Sequence, residues 1–546
     1  MINMNLFKRS AALLFAVSIL NGCAGNTDNG EPNAAKESVP ESGQDREVSP
    51  ESQSKSGKKS DEPSAAQEDM PVIDIKTKNT SSLDFAEKPV NGYVSGLIAS
   101  WTPGYKIPPE PYYEECSVTV TDSGNTVLID SADAEVKVRG NWTTTYPKKP
   151  FRIKFAEKQS MLGLNDGGEY KNWLLLAEYK DFSMLRNKTA FMLADEILGA
   201  DGYYTADSKL VEVRLNGEYR GVYLLTEQQQ VNGGRVDISA PEKDYSGTDI
   251  GYFLEYDGYY HLEEPLNQFV ISYHNDGLLK PYDGRNGSGR TARPSCGGKN
   301  DVGFTIKSDI YSQEQHDFIA NFMENTYNIM YEAAMNDKAF VISGDGKSII
   351  ESADITPQEA VERVVDVRSL ADAYILAELT CDADIYWSSF YMDVDMSESG
   401  SKKLVFDAPW DFDSSLGNKE RFSDDTGYYA GNLVLDVNGE WDDMCNPWLM
   451  VLMNEDWYQD IIRERWTELS ESGVFDGVYN MISDDAAKYE SAFKRNYDLW
   501  DNIRYNEAYN ELAPGAAACK TEKEAAEYLR GWLENRVAFM DSAWHK

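Results

Sequence analysis

The stretch KLVFDAPWDFDSSLGN, residues 403–418, carries three aspartates within seven positions, which are Asp407, Asp411 and Asp413. Large aromatic residues alternate with them, which is unusual for a solvated loop. A carboxylate in apolar surroundings needs a cation nearby, because burial disfavours its charged form. Carboxylate oxygens are the ligands that Mg²⁺ and Mn²⁺ prefer. The stretch therefore predicts a divalent metal, and a set of turn aspartates that cap backbone amides is the alternative.

Asp411 and Asp413 are the candidate metal ligands, because alternate residues of an extended chain point to the same side. Phosphate oxygens and water would complete the coordination shell of the metal at the mouth of a cleft. A calcium-binding EF-hand is excluded, because the glycine that its loop needs at the sixth position is replaced by Leu416.

A further candidate, Asp384, follows an apolar helical stretch and precedes a predicted hairpin that leads to Asp411. Protein kinases place a catalytic aspartate after such a helix, an asparagine that binds metal five residues later, and then a hairpin that leads to Asp-Phe-Gly. Ser389 stands five residues after Asp384. The order predicts Asp384 as the catalytic residue and Ser389 as a metal ligand, whereas Asp384 alone would be an ordinary loop carboxylate.

The segment RGNWTTTYPKKPFRIKF, residues 139–155, predicts a phosphate-binding element. A polar loop there precedes a strand that carries the candidate cations Lys149, Arg152 and Lys154. Lysine and arginine are the residues that bind phosphates. Surface strands carry such residues in many proteins, so this segment alone is weak evidence for a phosphate site. Lys148 and Lys149 are equivalent candidates at this stage.

The elements that must position these residues change character along the chain. From residue 71 onward, apolar and polar residues alternate between turn signals, which predicts strands. The predicted strands are 70–77, 117–130, two within 135–155, 172–179 and a hairpin over 209–228 with an Asn216-Gly217 turn. A helix is predicted over 181–199, where apolar residues recur at helical spacing.

From residue 311 onward the apolar spacing is mostly helical. The predicted helical segments are 313–335, 369–380 and the Trp-rich end 445–546. The segment 369–380 should be a buried helix with Ser369 as its N-cap. A hairpin over 390–410 should lead to Asp411. The chain is therefore predicted to be α+β, with a strand-rich N-lobe and a helix-rich C-lobe.

Length and composition narrow the function classes. A chain of 546 residues suggests about two to four domains, and 41% apolar content is typical of globular proteins. The net charge of −40 disfavours nucleic-acid binding, because phosphates would be repelled. The histidines lack ligand spacing, no Cys-x-x-Cys or Gly-x-Ser-x-Gly motif occurs, and Val341 replaces the first glycine of a Walker A loop. Zinc sites, esterases and P-loop enzymes are therefore disfavoured.

The N-terminal residues predict export and lipid attachment. A basic start precedes an apolar run, 11–20, which is too short to span a bilayer and is typical of a signal peptide, predicted over 1–22. The run ends in Leu-Asn-Gly-Cys, which resembles the bacterial lipobox, so Cys23 is the predicted lipidation site; secretion with Cys23 unmodified is the alternative. Residues 23–70 are predicted to be a disordered tether. Five scattered cysteines leave one or two disulfides open.

Six segments, taken in order, resemble the CotH kinase-like family, the spore coat protein H type of atypical secreted protein kinase. They are VKVRGNWTTTYPKKPFRIKF (136–155), 161–199, VEVRLNGEYRGVYLLTEQ (211–228), DIGYFLEYD (249–257), LAELTCDADIYWSSFYMDVD (376–395) and APWDFDSSLGN (408–418). The resemblance implies an atypical kinase-like domain over 131–470, between a β-strand segment, 71–130, and a helical extension, 471–546. It also implies ATP and Mg²⁺ or Mn²⁺ as cofactors.

The resemblance also assigns roles to individual residues. It implies that Asp411 binds the metal and that Asp384 is the catalytic-loop aspartate. Glu227 would stand where a kinase hinge meets adenine. Arg186 and Asn187 match a family signature. The phosphate-side loop is implied to contain Arg139, Gly140 and Asn141.

The implied function is phosphorylation of Ser or Thr on partner surface or secreted proteins. The protein would act at the extracellular face of the membrane, held by the N-terminal lipid only, with no nucleic-acid partner. The alternative is a catalytically weak or inactive kinase-like protein that acts in binding or assembly. Ser389 favours the alternative, because many family members have Asn near this position and a hydroxyl is a weaker Mg²⁺ ligand. Nucleotidylation on the same fold is a third option, and the sequence specifies neither the acceptor nor the oligomeric state.

Overall fold

A computed structural model describes residues 70–79, 82–273, 293–294, 302–382, 384–419, 444–502 and 512–546. The predicted signal peptide, the lipidation site at Cys23 and residues 23–69 of the predicted tether lie outside these residues, whereas Met70 is buried in the core and was wrongly placed in the tether. One compact unit, Asp69–Lys546, contains all the elements described below. Among the described helices, none combines the length and the apolar content that crossing a bilayer requires.

Seven strands close into a barrel in the order β1-β2-β3-β4-β5-β7-β6. They are β1 Val72–Thr77, β2 Glu114–Thr121, β3 Val127–Val138, β4 Phe151–Ser160, β5 Glu169–Leu176, β6 Ser208–Leu215 and β7 Glu218–Glu227. Neighbouring strands are antiparallel except β1 and β6, which are parallel. Alternate residues such as Ile153 and Trp173 fill the interior, so the barrel has a hydrophobic core of its own.

The hairpin of β6 and β7 turns at Asn216-Gly217, which confirms the sequence prediction. Both residues have positive φ, 53° and 83°, as a two-residue hairpin turn of type I′ requires. The backbone N–H of Thr77 donates to Asn216 Oδ1 at 2.8 Å. The turn is therefore also tied to the end of β1, the strand that closes the barrel.

The outer face of the barrel packs against the rest of the molecule. Leu174 on β5 and Leu224 on β7 belong to a second, larger hydrophobic core. The row that contains Leu174 continues across the sheet to Arg152 on β4 and Lys137 on β3, both half-buried. Basic side chains of the barrel thus stand next to the apolar contact between the two cores.

A second sheet has four strands in the order β14-β8-β11-β9. The remaining strands are β8 Gly251–Asp257, β9 Gln268–Phe269, β10 Arg293–Pro294, β11 Gly303–Ile306, β12 Phe340–Ile342, β13 Ile349–Glu351, β14 Phe390–Asp395 and β15 Met444–Cys445. β10 pairs with β15, and β12 with β13. The hairpin predicted over 390–410 is reduced to one isolated bridge, Asp393 to Val405, because β14 takes its regular pairing with β8.

The described helices lie between and after the strands and extend to residue 544. They are α1 Asp84–Glu87, α2 Gly92–Trp101, α3 Arg186–Ile197, α4 Gln313–Asn336, α5 Pro357–Glu362, α6 Val367–Thr380, α7 Pro447–Met450, α8 Asp456–Ser472, α9 Val474–Lys488, α10 Glu490–Trp500, α11 Pro514–Ala518 and α12 Glu522–Trp544. α3 begins later than predicted, because the Asp181 carboxylate accepts from the N–H groups of Ser183, Leu185 and Arg186 and holds a turn there.

The predicted buried helix is α6, but its N-cap is Asp366 and the prediction of Ser369 was wrong. Asp366 Oδ1 accepts from the N–H of Ser369 at 3.1 Å, which is the N-cap bond that aspartate makes as well as serine does. Ser369 is buried one turn later, where its Oγ accepts from the N–H of Phe406 at 3.0 Å. α6 therefore fixes the start of the segment that runs to Asp411.

The C-terminal helices pack into the same core as the middle of the chain. Trp466 on α8 and Trp544 on α12 belong to the core that includes Leu224 and Tyr374. Arg536 on α12 pairs with Glu378 on α6 at 2.5 Å, and both side chains are fully buried. The mixed helix and strand content confirms the α+β prediction, whereas a kinase-like division into two lobes stays a prediction.

Candidate active site

Two acidic segments that are distant in sequence meet beside the end of α6. Asp384 begins a 3₁₀ turn, Asp384–Tyr386, and Asp413 lies in a second one, Phe412–Ser414. Ser414 Oγ stands 3.0 Å from Asp384 Oδ2 and 3.1 Å from Asp413 Oδ1. One hydroxyl therefore bridges the carboxylates of the two segments.

The backbone of this loop takes conformations that most residues avoid. Asp411 has φ 68° and ψ 53°, and Leu416 has φ 52°. Residues other than glycine seldom adopt the left-handed region, and those that do cluster at functional sites. The N–H of Leu416 donates to the carbonyl of Thr380 at 2.7 Å, so the end of α6 supports the strained loop.

The Arg186-Asn187 pair holds the same loop from the side of α3. Asn187 Oδ1 accepts from the N–H of Phe412 at 3.0 Å, and its Nδ2 donates to the buried Glu178 carboxylate at 3.0 Å and 3.2 Å. Arg186 forms a buried ion pair with Asp181, and its Nε approaches the carbonyl of Leu416 at 3.4 Å. The family signature therefore positions the loop; sequence analysis had found these residues but not this contact.

The acid cluster, defined as Asp382, Asp384, Asp411 and Asp413, has a strong excess of negative charge. Burial, followed by the nearby charges of Asp413 and Asp384, raises the pKa of Asp411 to about 7. Burial and the Asp384 charge also raise the pKa of Asp382 well above its ordinary value. The cluster therefore favours a cation that would restore the charged form of Asp411.

The donor set fits a divalent metal that is shared with a phosphate group. The Asp411 carboxylate accepts no hydrogen bond from the described residues, although it is partly buried. In the described part of the chain, no group of three or more His, Cys, Asp or Glu side chains is arranged to hold a metal by itself. Mg²⁺ in nucleotide sites takes one or two carboxylates and completes its shell with phosphate oxygens and water, so the two observations are compatible.

Two cations of the chain already face the acid cluster. Lys419 Nζ lies 3.3 Å from Asp413 Oδ1 and 3.1 Å from Ser414 Oγ. The guanidinium of Arg139 lies over the ring of Trp410, 5.9 Å from its centroid, and its charge lowers the pKa of Asp411. Sequence analysis had selected Arg139 but had missed Lys419, whose only signal was a basic residue shortly after the Asp-Phe-Asp motif.

Arg139 belongs to a basic row, defined as Lys137, Arg139 and Arg152, on the outer face of β3 and β4. Arg152 donates from Nη2 to Asn172 Oδ1 at 3.0 Å. Burial, followed by the charges of Arg152 and Arg139, lowers the pKa of Lys137. Three cations that repel one another, of which Arg139 acts on the acid cluster, are suited to hold an anion such as a polyphosphate.

The other predicted phosphate ligands have different surroundings. Lys149 is buried and donates from Nζ to the carbonyl of Thr144 at 2.5 Å, and burial lowers its pKa to about 8. Lys148 is buried too and donates to the carbonyl of Val222 and to Asn496 Oδ1. Lys154 is half-exposed, 3.6 Å from Glu135. The structure therefore does not bring these lysines to the acid cluster.

Gly140 and Asn141 form the start of the loop after Arg139. Gly140 has φ 96°, and a Cβ there would lie 2.5 Å from Thr143 Oγ1, so the loop requires glycine at this position. Asn141 Oδ1 accepts from Asn91 Nδ2 at 2.9 Å, which ties the loop to the start of α2.

Glu227 is engaged within the barrel end. Its carboxylate accepts from Asn165 Nδ2 at 2.6 Å, from the N–H of Asp207 at 3.0 Å and from Arg235 Nε at 3.0 Å. The side chain is almost fully buried. Glu227 thus orders the chain where β7 ends, and both of its carboxylate oxygens already accept hydrogen bonds.

Ser389 is bonded to Glu255 and not to the Asp411 carboxylate. Its N–H donates to Glu255 Oε1 at 3.1 Å, and its φ is 63°. It lines a cavity of about 30 Å³ together with Asp382 and Asp407. A cavity of this size holds a water molecule, not a nucleotide.

Asp407 belongs to a different group, the carboxyl pair of Asp393 and Asp407. The two side chains are buried and interact electrostatically, and Asp407 Oδ2 accepts from the N–H of Tyr204 at 3.2 Å. Burial raises the pKa of Asp407 to about 7, and burial followed by the Asp407 charge raises that of Asp393 well above its ordinary value. Asp407 is therefore not part of the acid cluster, although it is close in sequence.

The site joins an aspartate after a buried helix to an Asp-Phe-Asp loop with Arg139 beside it, which is the order of groups expected of a kinase-like protein. Residues 136–540 match the sequence profile of the family described as CotH kinase protein. The match covers more than half of the chain, so the chain belongs to this family. It also extends beyond residue 470 through most of α12. No curated protein matches the chain by sequence.

Proposed function

We propose that this protein is a metal-dependent kinase of the cell surface that phosphorylates Ser or Thr of partner surface or secreted proteins. ATP would be the donor and Mg²⁺ or Mn²⁺ the metal, and the lipid on Cys23 would hold the folded body at the extracellular face of the membrane. The observation that carries the proposal is the Ser414 bridge between Asp384 and Asp413. It brings a catalytic-loop acid and a metal-loop acid to one place.

Each side chain of the site has a distinct task in the proposal. Asp411 and Asp413 would hold the metal, and Arg139 would donate to phosphate oxygens. Asp384 would orient the acceptor hydroxyl and accept the proton that it releases. When bound, a nucleotide with its divalent cation supplies the phosphoryl group and neutralises the charge on its oxygens. Asn187 keeps Phe412, and with it the neighbouring carboxylates, in place.

The test compares the wild type with Asp411→Asn and Asp411→Ala in γ-labelled ATP and Mn²⁺. Asn keeps the size of the side chain, so its loss of activity reports the missing charge. We expect label transfer to fall by at least about 10²-fold in both variants. Asp345→Asn, in an exposed turn, is the matched control and should keep full activity. No label transfer by the wild type with either metal would contradict the proposal.

A second candidate function is binding or assembly without turnover. The observation that favours it is that Lys149 and Glu227, two predicted nucleotide contacts, are buried and hydrogen-bonded to partners within the chain. A thermal-shift measurement separates the two candidates, because a ligand that binds only the folded state raises Tm. A shift at millimolar ATP that requires Mg²⁺ or Mn²⁺ supports the kinase, and no shift supports the binding protein.

A further inference from the structure

Lys419 is built into the site and is not an ordinary surface lysine. Its side chain is 4% exposed, and its Nζ contacts Asp413 Oδ1 at 3.3 Å and Ser414 Oγ at 3.1 Å. Ser414 in turn stands 3.0 Å from Asp384 Oδ2. The Lys419 ammonium group therefore contacts the candidate metal ligand Asp413 directly, and the Ser414 hydroxyl links it to the candidate catalytic residue Asp384.

The backbone around Lys419 fixes this position. Lys419 forms an isolated antiparallel bridge with Leu512, and the N–H of Ala513 donates to the carbonyl of Asn418 at 2.9 Å. Asn418 Nδ2 donates to the carbonyl of Asp413 at 2.7 Å. The lysine is thus held by two segments of chain before any ligand binds.

The charge of Lys419 also acts on the other metal candidate. It lowers the pKa of Asp411, as does the charge of Arg139. By contrast, Ser389 offers no amide oxygen, and its N–H is bonded to Glu255. In protein kinases an asparagine five residues after the catalytic aspartate helps to hold a second Mg²⁺. The residue for a second metal is therefore replaced, whereas a fixed ammonium is present.

We propose that Lys419 is the resident second cation of this site, so that one divalent ion suffices for binding and transfer. The Lys419 ammonium neutralises Asp413 and the acidic loop, as a second metal would in a two-metal phosphotransferase. Lys419 has this role only if the proposed function holds. Because it acts through Asp413, Lys419 is a positioning residue.

The test counts Mn²⁺ by equilibrium dialysis in the presence of a non-hydrolysable ATP analogue. We expect about one Mn²⁺ per wild-type chain and per Lys419→Arg chain. Lys419→Met should bind a second, weaker Mn²⁺, because the competing charge at Asp413 is gone. Its label transfer should fall at micromolar Mn²⁺ and recover at millimolar Mn²⁺. Lys188→Met removes another partly buried lysine from its partner, Asp485, and should behave as the wild type.

Two results would overturn the inference while the proposed function stands. One is two Mn²⁺ on a wild type that transfers phosphate, which requires no variant to fold. The other is a Lys419→Met protein whose Mn²⁺ stoichiometry, affinity and metal dependence equal those of the wild type. A wild type that binds neither Mn²⁺ nor the analogue would instead overturn the proposed function itself.

Discussion

Two groups of buried carboxylates lie in the same short stretch of chain and have opposite surroundings. The acid cluster around Asp411 faces Lys419 and Arg139 and has a carboxylate that accepts no hydrogen bond from the described residues. The carboxyl pair of Asp393 and Asp407 has no ion pair with a cation among the described residues, and the charge of Asp407 raises the pKa of Asp393 beyond the effect of burial. The cluster is arranged to receive a cation, whereas the pair is arranged to keep a proton.

The difference shows that an acidic motif does not define a site by itself. Burial raises the pKa of both Asp411 and Asp407 to about 7, so desolvation does not distinguish them. What distinguishes them is the cations nearby and the loop geometry that leaves Asp411 open. Substitutions that separate the two groups by activity, stability or pH response test this comparison.

The largest expected effect separates the groups by activity. Asp384→Asn should lower kcat/KM for label transfer by ~10²–10⁴-fold, because the acceptor hydroxyl loses its proton acceptor. Asp407→Asn should change kcat/KM by less than about threefold, since Asp407 belongs to the carboxyl pair and not to the acid cluster. Melting temperatures of both variants serve as the folding control. Equal losses in the two variants would erase the distinction.

The carboxyl pair should reveal itself in the pH dependence of stability. The pKa of Asp407 is raised from 3.8 to about 7 in the folded state, so the folded protein binds this proton more tightly. The contribution of this Asp407 proton to the stability of the folded protein is fully present below about pH 4 and is lost as the pH rises through about 7. Asp407→Asn should reduce the fall in unfolding free energy between these values by on the order of 2–4 kcal/mol. Urea titrations at several pH values measure the unfolding free energy. Parallel curves of unfolding free energy against pH for the wild type and the variant would contradict the prediction.

Asn187 should matter to the acid cluster only. Asn187→Leu removes the acceptor for the N–H of Phe412 and leaves a buried donor unsatisfied, which costs about 1–3 kcal/mol of stability. Label transfer should fall by about 10–100-fold, mostly in kcat, since the carboxylates shift. Asn187→Asp keeps the acceptor oxygen for Phe412 but loses the amide donor to Glu178, so it should restore part of kcat only at a pH low enough to protonate one of the two carboxyl groups. A change in stability with unchanged kcat would show that Asn187 does not position the loop.

The smallest effects compare cations of the barrel. Arg139→Ala should weaken ATP binding by about tenfold, because a charge-assisted contact to phosphate is lost. Lys154→Ala should change it by less than about twofold, since Lys154 is half-exposed and 3.6 Å from Glu135. Calorimetric titration with a nucleotide analogue measures both. A larger loss of binding for Lys154→Ala than for Arg139→Ala would indicate that the phosphate site lies further along β4, near Lys154.

Much of the local structure follows from local patterns. Alternating apolar and polar residues along β3, β4 and β5 predict strands with one face in the barrel, and Asn216-Gly217 predicts the turn between β6 and β7. Both signals depend only on residues that are neighbours in sequence. The start of α3 and the cap of α6 were misplaced. In both, an aspartate, Asp181 or Asp366, captured backbone N–H groups that the pattern had assigned elsewhere.

The sequence by itself determined the family, the strand and helix segments and the acids Asp384, Asp411 and Asp413, because motif order and periodicity are properties of the chain. The tertiary structure alone decided which of them share a hydroxyl, that Lys419 faces Asp413 and that Lys149 and Glu227 are occupied. The physical reason is that a charge acts over a few ångströms of space. Which charges come that close depends on the packing of α6, α3 and the barrel against one another.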